Sequence, residues 1–307
     1  MSATPEHDAE TLHKAMDGLG TDEKSIISLI VGRSNAFRQR IKSAYRAKYN
    51  KDLAEDLKSE LSGDFEDTLI ALLETPIDYD VLQLRSAVSG AGTDEDALIE
   101  IVSTRPSWVL QKLQQRYKSK YNTELIEDIK ADTSGDLQGL LLSLLQNVRS
   151  SNTTPDKATC VAKAQAIHSA EEGSWKANDS TFNEILRTCS PMELAVISRE
   201  YHRIAGNTIM ERISKEFTSN TKEVIETILF AVVSPSEYFA TRINKAIKGA
   251  GTDDKTLIRV LVSRSELDLR YIKQFYKKKF NTEMIEDIKG DCSGDYRDLL
   301  VELVSRA

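Results

Sequence analysis

Apolar side chains are spaced along this chain as they are in amphipathic helices. In the segment Asp22–Val31 the apolar residues Ile26, Ile27, Ile30 and Val31 follow helical spacing. This spacing places them on one face of a helix. The same stripe recurs twice, at Leu98, Ile99, Ile101 and Val102 and at Leu257, Ile258, Leu261 and Val262. The alternation typical of strands is nearly absent, so the pattern predicts an all-α fold.

A longer amphipathic helix is predicted after each of these segments. The three long helices cover Ala36–Tyr49, Ser107–Tyr121 and Glu266–Phe280. Each ends before an asparagine, which tolerates the left-handed conformation in which many helices stop. These asparagines are Asn50, Asn122 and Asn281. A shorter helix follows, and the last helix opens at Ser-Gly-Asp. We predict five short helices per repeat.

A glycine-bracketed turn occurs three times, each time at the same distance from an acidic residue. The turns are 16–22, 88–94 and 247–253, and the acids, called the arm acids below, are Glu60, Asp132 and Asp291. Each arm acid stands 42 residues after the first glycine of its turn. A fourth similar segment, Thr208–Leu229, places Glu216 at the equivalent position. A period of about 70 residues indicates four copies of one structural unit.

The repeats give the predicted domain organisation. A short N-terminal segment, 1–9, precedes four repeats at 10–76, 77–148, 158–234 and 235–307. A polar linker at 149–157 separates repeats 2 and 3 and splits the chain into two halves. Repeat 3 has lost its turn glycines near Glu171–Asn178, apart from Gly173, so its turn is degenerate. In the intact turns, Thr21, Thr93 and Thr252 are the predicted helix N-caps.

Composition narrows the choice of partners. The chain has 307 residues and a formal net charge of −7, which excludes a strongly basic nucleic-acid footprint. The same charge opposes direct attraction to acidic membranes, so membrane binding would need a bridging cation. Three widely spaced cysteines form no metal cluster and suit a reduced compartment. Neither a signal peptide, a membrane-spanning segment nor a catalytic motif is found, and a non-enzymatic protein is expected.

The repeated turn and its arm acid suit a hard cation such as calcium. Calcium takes oxygen ligands, often backbone carbonyls with a bidentate carboxylate, and glycine allows backbone conformations in which carbonyls converge. The candidate ligands are Met16, Gly18 and Gly20 with Glu60, Val88, Gly90 and Gly92 with Asp132, and Ile247, Gly249 and Gly251 with Asp291. A single turn of this kind is more simply a capped helix connection. Three copies at one interval favour a weak calcium site that leaves room for a phosphate oxygen.

The motif Gly-x-Gly-Thr, followed at a fixed interval by an acid, resembles that of the annexin family. The resemblance covers about Asp8 to Arg306 and all four repeats. It implies four five-helix bundles in a slightly curved disc, with the calcium turns on the convex, membrane-facing side. It also implies secondary calcium ligands at Thr21 and Glu23, Thr93 and Glu95, and Thr252 and Asp254. Repeat 3 departs from the motif, so primary calcium sites are expected in repeats 1, 2 and 4. The short N-terminal segment predicts no long regulatory tail.

These observations lead to one functional hypothesis and two alternatives. The first is calcium-dependent binding of acidic phospholipid membranes, with calcium between the turn carbonyls and lipid phosphates. The alternatives are a calcium-modulated cation channel or transport role at membranes and a cytosolic calcium-dependent protein scaffold. The expected location is the cytoplasm, with peripheral attachment to membranes when calcium rises. Self-association on membranes and unconventional export are left open, and no nucleic-acid partner is expected.

Overall fold

Helices account for the regular structure of the chain. The computed structural model describes residues 4–18, 20–90, 92–146, 149–170, 181–217, 219–249 and 251–307. Within these ranges it contains twenty α-helices and no β-strand, five helices in each of the four repeats. The predicted all-α fold with five helices per repeat is therefore confirmed. No helix in these ranges has both the length and the apolar character needed to cross a membrane.

The helices follow one another in four groups of five. Repeat 1 contains α1 Pro5–Ala15, α2 Glu23–Val31, α3 Asn35–Tyr49, α4 Leu53–Glu60 and α5 Gly63–Leu73. Repeat 2 contains α6 Pro76–Ala87, α7 Glu95–Thr104, α8 Ser107–Tyr121, α9 Leu125–Asp132 and α10 Gly135–Gln146. Repeat 3 contains α11 Lys157–Ser169, α12 Thr181–Thr188, α13 Pro191–Ala205, α14 Ile209–Glu216 and α15 Ser219–Val233. Repeat 4 contains α16 Pro235–Lys248, α17 Asp254–Arg264, α18 Leu269–Phe280, α19 Met284–Asp291 and α20 Gly294–Ser305.

The helices assemble into two compact units that do not follow chain order. One unit comprises Met1–Tyr79 and Ser236–Ala307, and the other comprises Asp80–Pro235. In the first unit α2 packs against α20, and α5 packs against α17 and α20. In the second, α15 packs against α7 and α10. Repeat 1 thus shares a unit with repeat 4, and the polar linker lies inside the second unit, so the expected division into halves at that linker is wrong.

The long third helices of repeats 1, 2 and 4 end as the sequence predicted. Asn50, Asn122 and Asn281 have φ values of 55°, 57° and 56°, in the left-handed region. Their N–H groups each donate to a carbonyl oxygen four residues earlier, at 2.9 Å. This conformation closes the helix and turns the chain toward the fourth helix.

The helices after the turns are capped by aspartate, and the prediction of threonine caps at Thr21, Thr93 and Thr252 is wrong. The carboxylates accept hydrogen bonds from backbone N–H groups: Asp22 from Ser25 at 3.1 Å, Asp94 from Ala97 at 2.9 Å and Asp253 from Thr256 at 3.1 Å. Aspartate caps at least as well as threonine, and its negative charge also suits the helix dipole. The threonine hydroxyls therefore take another partner in at least two repeats.

A buried tyrosine on the third helix fixes the fourth helix in repeats 1, 2 and 4. The hydroxyls donate to aspartates, Tyr45 to Asp56 at 2.7 Å, Tyr117 to Asp128 at 2.6 Å and Tyr276 to Asp287 at 2.7 Å. All three tyrosines are 0% exposed. Each of these aspartates stands one helical turn before the arm acid, so this bond sets the position of the candidate site.

We expect the buried hydroxyl of Tyr117 to make stability fall at alkaline pH. Burial, with a smaller contribution from Asp128, raises the pKa of Tyr117 to about 12. An unfolded tyrosine ionises near pH ~10, so this contribution is complete below that pH and is lost as the pH rises through about 12. Urea unfolding between about pH 9 and about pH 12 should show a shallower loss of stability in Tyr117→Phe than in the parent chain. The control is Tyr271→Phe, since Tyr271 is 44% exposed. Equal pH dependence of the parent and Tyr117→Phe would contradict the assignment.

Candidate metal centre

The three glycine turns are closed by the same backbone hydrogen bond. The N–H groups of Asp22, Asp94 and Asp253 donate to the carbonyls of Ala15, Ala87 and Ala246 at 2.8, 3.0 and 2.9 Å, which closes each turn. The second glycine of each turn has a left-handed φ: 94° at Gly20, 97° at Gly92 and 95° at Gly251. Residues between the paired glycines, at 19, 91 and 250, lie outside the described residues. The glycines are required because side chains rarely adopt this conformation.

The predicted carbonyl donors lie where the first helix of a repeat ends. Met16 directly follows α1 and Val88 directly follows α6. Ile247 instead lies in the last turn of α16, which continues to Lys248. The first turn glycines, Gly18, Gly90 and Gly249, come within two residues of these positions. Ligation by these carbonyls remains a prediction, but all of them belong to the turns described above.

Each arm acid is the last residue of the fourth helix, and in two repeats it contacts the turn. Thr93 Oγ1 donates to Asp132 Oδ2 at 2.6 Å, and Thr252 Oγ1 donates to Asp291 Oδ2 at 2.6 Å. The threonine and the acid are 39 residues apart in sequence. The turn and the arm acid are therefore neighbours in space in repeats 2 and 4.

The repeat 1 site opens into an acidic cavity. This cavity has a volume of about 410 Å³, and its lining includes the arm acid Glu60 and the predicted secondary ligand Glu23. Asp64 and Asp295 also line it, and both belong to the same compact unit. Carboxylates grouped in this way repel one another, and a bound cation would offset the repulsion.

The predicted secondary ligands are the first residues of the second helices. Glu23 begins α2, Glu95 begins α7 and Asp254 begins α17. Burial raises the pKa of Asp254, and the nearby carboxylates of Asp64 and Asp291 raise it further. The site in repeat 4 therefore concentrates negative charge that lacks full compensation from the protein.

The donor set fits a hard cation only if backbone carbonyls take part. Among the described residues, no three His, Cys, Asp or Glu side chains are grouped so that they could hold a metal ion. Burial raises the pKa of Cys292, next to Asp291, to about 11, which keeps its sulfur protonated and a poor metal ligand. The available donors are one arm carboxylate, a turn threonine and carbonyl oxygens, which are ligands that calcium accepts.

Repeat 3 is built differently. Its degenerate turn, including Gly173 and Trp175, lies outside the described residues. Glu216 ends α14, as the arm acids end their helices, but its side chain is 0% exposed and lies 2.7 Å from Arg212. The side chains that sequence reasoning missed are Arg212 and the tyrosine-bound aspartates. The sequence contains a signal for them, because the position four residues before the acid is aspartate in repeats 1, 2 and 4 and arginine in repeat 3.

This architecture defines an all-α protein of four repeats with five helices each. A family model described as Annexin matches residues 7–72, 79–144, 162–228 and 238–303. Human annexin A11 is 42% identical over 299 residues, 97% of this chain and 59% of annexin A11. Annexin A5 of Macaca fascicularis is 42% identical over 296 residues, 96% of this chain and 92% of that protein. The chain belongs to the annexin family, as the sequence motif indicated.

Solved structures agree with this assignment. The structure of annexin III has a TM-score of 0.94 and 39% sequence identity, and the match covers 99% of this chain and 94% of that one. A calcium-bound structure of annexin (Sm)1 has a TM-score of 0.87 and 29% identity, with 98% and 90% covered. The chain spans about 59% of the length of the annexin A11 relatives it matches.

We expect two glycines of repeat 4 to respond oppositely to alanine. Gly251 has a φ of 95°, a conformation that side chains rarely adopt, so Gly251→Ala costs about 1 kcal/mol of backbone strain. No atom lies within 4 Å of the added Cβ, so a steric clash does not contribute. The substitution should lower both the free energy of unfolding and the calcium affinity. Gly290 lies inside α19 with the same open space, so Gly290→Ala should stabilise the helix by up to ~1 kcal/mol. Urea unfolding and calorimetric calcium titration test both variants. Equal calcium affinity in Gly251→Ala and Gly290→Ala would argue against a role for the turn.

Proposed function

We propose that this protein binds acidic phospholipid membranes when calcium is present. Calcium would lie between the protein oxygens of the turns and arm acids and the phosphate oxygens of the lipids. The observation that carries the proposal is the pairing of a glycine turn with an arm acid, seen directly in the contacts of Thr93 with Asp132 and of Thr252 with Asp291. The proposed role needs no catalytic step, and the proposed location is the cytoplasm, with reversible attachment to membranes.

The ligand set favours a site at which calcium bridges the protein and a lipid over a site that stores calcium permanently. A site that has a single carboxylate gains little Coulombic attraction for a divalent ion, and calcium sites with few charged ligands bind weakly. Calcium takes about six to eight oxygen ligands, so such a site leaves positions for other oxygen donors. Lipid phosphates supply both oxygen and negative charge. The membrane would thus complete the coordination that the protein leaves unfinished.

The charge of the chain makes calcium a requirement for this binding. A formal net charge of −7 repels an acidic membrane surface. Local acid clusters at the candidate sites, such as Glu23, Glu60 and Asp64, add to this repulsion unless a cation neutralises them. The calcium-bound structure of the related annexin (Sm)1 supports calcium as the cation.

The first test removes the three arm acids. The triple variant Glu60→Gln, Asp132→Asn and Asp291→Asn should need roughly tenfold more calcium or higher to sediment with phosphatidylserine vesicles, because each change removes the arm carboxylate. Circular dichroism should show an unchanged helical content. Vesicle co-sedimentation across a calcium titration gives the readout.

A matched control lies on the same three helices. Glu55, Glu127 and Glu286 are 69, 62 and 63% exposed and pair with lysines three residues later. Changing all three to glutamine removes the same charge from α4, α9 and α19 but should leave the calcium requirement unchanged. If the arm-acid variant sediments like the control, calcium bridging through these acids is wrong.

The second test concerns binding without calcium. At physiological salt and neutral pH, the protein in excess chelator should stay in solution with phosphatidylserine vesicles, because both surfaces are negative. Chelator added after binding should release the protein. Retention on the vesicles in chelator would point to direct contacts between lysines and lipid or to insertion.

A further inference from the structure

Repeat 3 carries an arginine where the other repeats carry an aspartate. Four residues before the acid, repeats 1, 2 and 4 have Asp56, Asp128 and Asp287, and repeat 3 has Arg212. The three aspartates accept the tyrosine hydroxyls of the third helix. Arginine has no acceptor atom, so this position must serve another purpose in repeat 3.

The guanidinium of Arg212 joins two oxygens from different helices. Its Nη2 lies 2.7 Å from Glu216 Oε1 and donates to the carbonyl oxygen of Ala170 at 3.1 Å. The side chain of Glu216 is 0% exposed and that of Arg212 is 16% exposed. A planar guanidinium is well suited to hold a carboxylate and a carbonyl together.

One of these two oxygens stands at the arm-acid position, and the other lies at the end of the first helix of the repeat. Ala170 directly follows α11, as Met16 directly follows α1, and both are first-helix C-cap residues. Glu216 ends α14, as Glu60 ends α4. The carbonyl after the first helix and the carboxylate at the end of the fourth are therefore bridged in repeat 3 by a side chain of the protein.

We propose that the Arg212 guanidinium takes the place of calcium in repeat 3. It links Glu216 to the end of α11 and keeps the repeat closed whether or not calcium is present. The comparison with calcium rests on the proposed function, but the internal ion pair does not. The arrangement also accounts for the burial of Glu216, since a buried carboxylate needs a paired charge.

The assignment separates two roles of the same acid position. In repeat 1 the acid is exposed to solvent, whereas in repeat 3 its side chain is buried and paired with Arg212. Loss of Glu60 should therefore affect calcium binding, and loss of Glu216 should affect stability. Glu60→Gln and Glu216→Gln are matched variants, because both replace the same side chain at equivalent positions.

The experiment measures thermal unfolding in EDTA and calcium binding by calorimetry, both without lipid. Glu216→Gln should lower the Tm in EDTA by roughly 5 °C or more, because it removes the carboxylate paired with a largely buried arginine, and should leave the calcium stoichiometry unchanged. Glu60→Gln should reduce the calcium stoichiometry and leave the Tm in EDTA unchanged. The Tm in EDTA depends on neither calcium nor lipid, so failure of the proposed function would not affect this readout.

A milder variant keeps the test decisive if Glu216→Gln does not fold. Arg212→Lys retains the positive charge but loses the fork that holds two oxygens. It should lower the Tm in EDTA by a few degrees, about 2–4 °C, with the same calcium stoichiometry as the parent chain. An unchanged Tm in Arg212→Lys, or a loss of calcium binding in Glu216→Gln without a loss of Tm, would overturn the proposal.

Discussion

The hydrogen bond between the third-helix tyrosine and the fourth-helix aspartate determines where each arm acid lies. The fourth helices α4, α9 and α19 are only eight residues long. A helix this short has little stability of its own, so its orientation comes from tertiary contacts. The buried hydroxyls of Tyr45, Tyr117 and Tyr276 anchor it one turn before its last residue. In repeats 2 and 4 the arm acid reaches the glycine turn because the helical turn before it is anchored to the third helix.

Repeat 3 shows how one substitution at this anchor changes the whole site. With Arg212 at the aspartate position, the buried Tyr201 has no carboxylate there to accept its hydroxyl. The same arginine lies 2.7 Å from Glu216, whose side chain is 0% exposed. A repeat can thus keep its five helices and its acid and still differ in chemistry, because the residue beside the acid determines whether the carboxylate faces solvent or the protein.

Much of the fold could be predicted from local patterns, and the errors arose where local signals competed or distant contacts decided. Helix spacing and the stop at Asn50, Asn122 and Asn281 depend on neighbouring residues, so the sequence was sufficient for them. Two adjacent residues, such as Thr21 and Asp22, are both good caps, and only the folded backbone selects the aspartate. The pairing of repeat 1 with repeat 4 is a long-range outcome that helical periodicity does not encode. For the site, the spacing identified the turns and the acids, but the tyrosine anchors depend on packing between helices.

The discontinuous unit, Met1–Tyr79 with Ser236–Ala307, has a consequence for how the chain is made. On the ribosome, repeat 1 emerges before repeat 4, but the helices α17 and α20 that pack against α2 and α5 belong to repeat 4. At typical rates of synthesis this delay is roughly 10 to 50 s. During that time Ala71 and Tyr79 lack the partner Ile258 with which they form a buried cluster. The nascent protein therefore passes through an interval in which chaperone protection of repeat 1 matters most, whereas repeats 2 and 3 complete their own unit before repeat 4 is made.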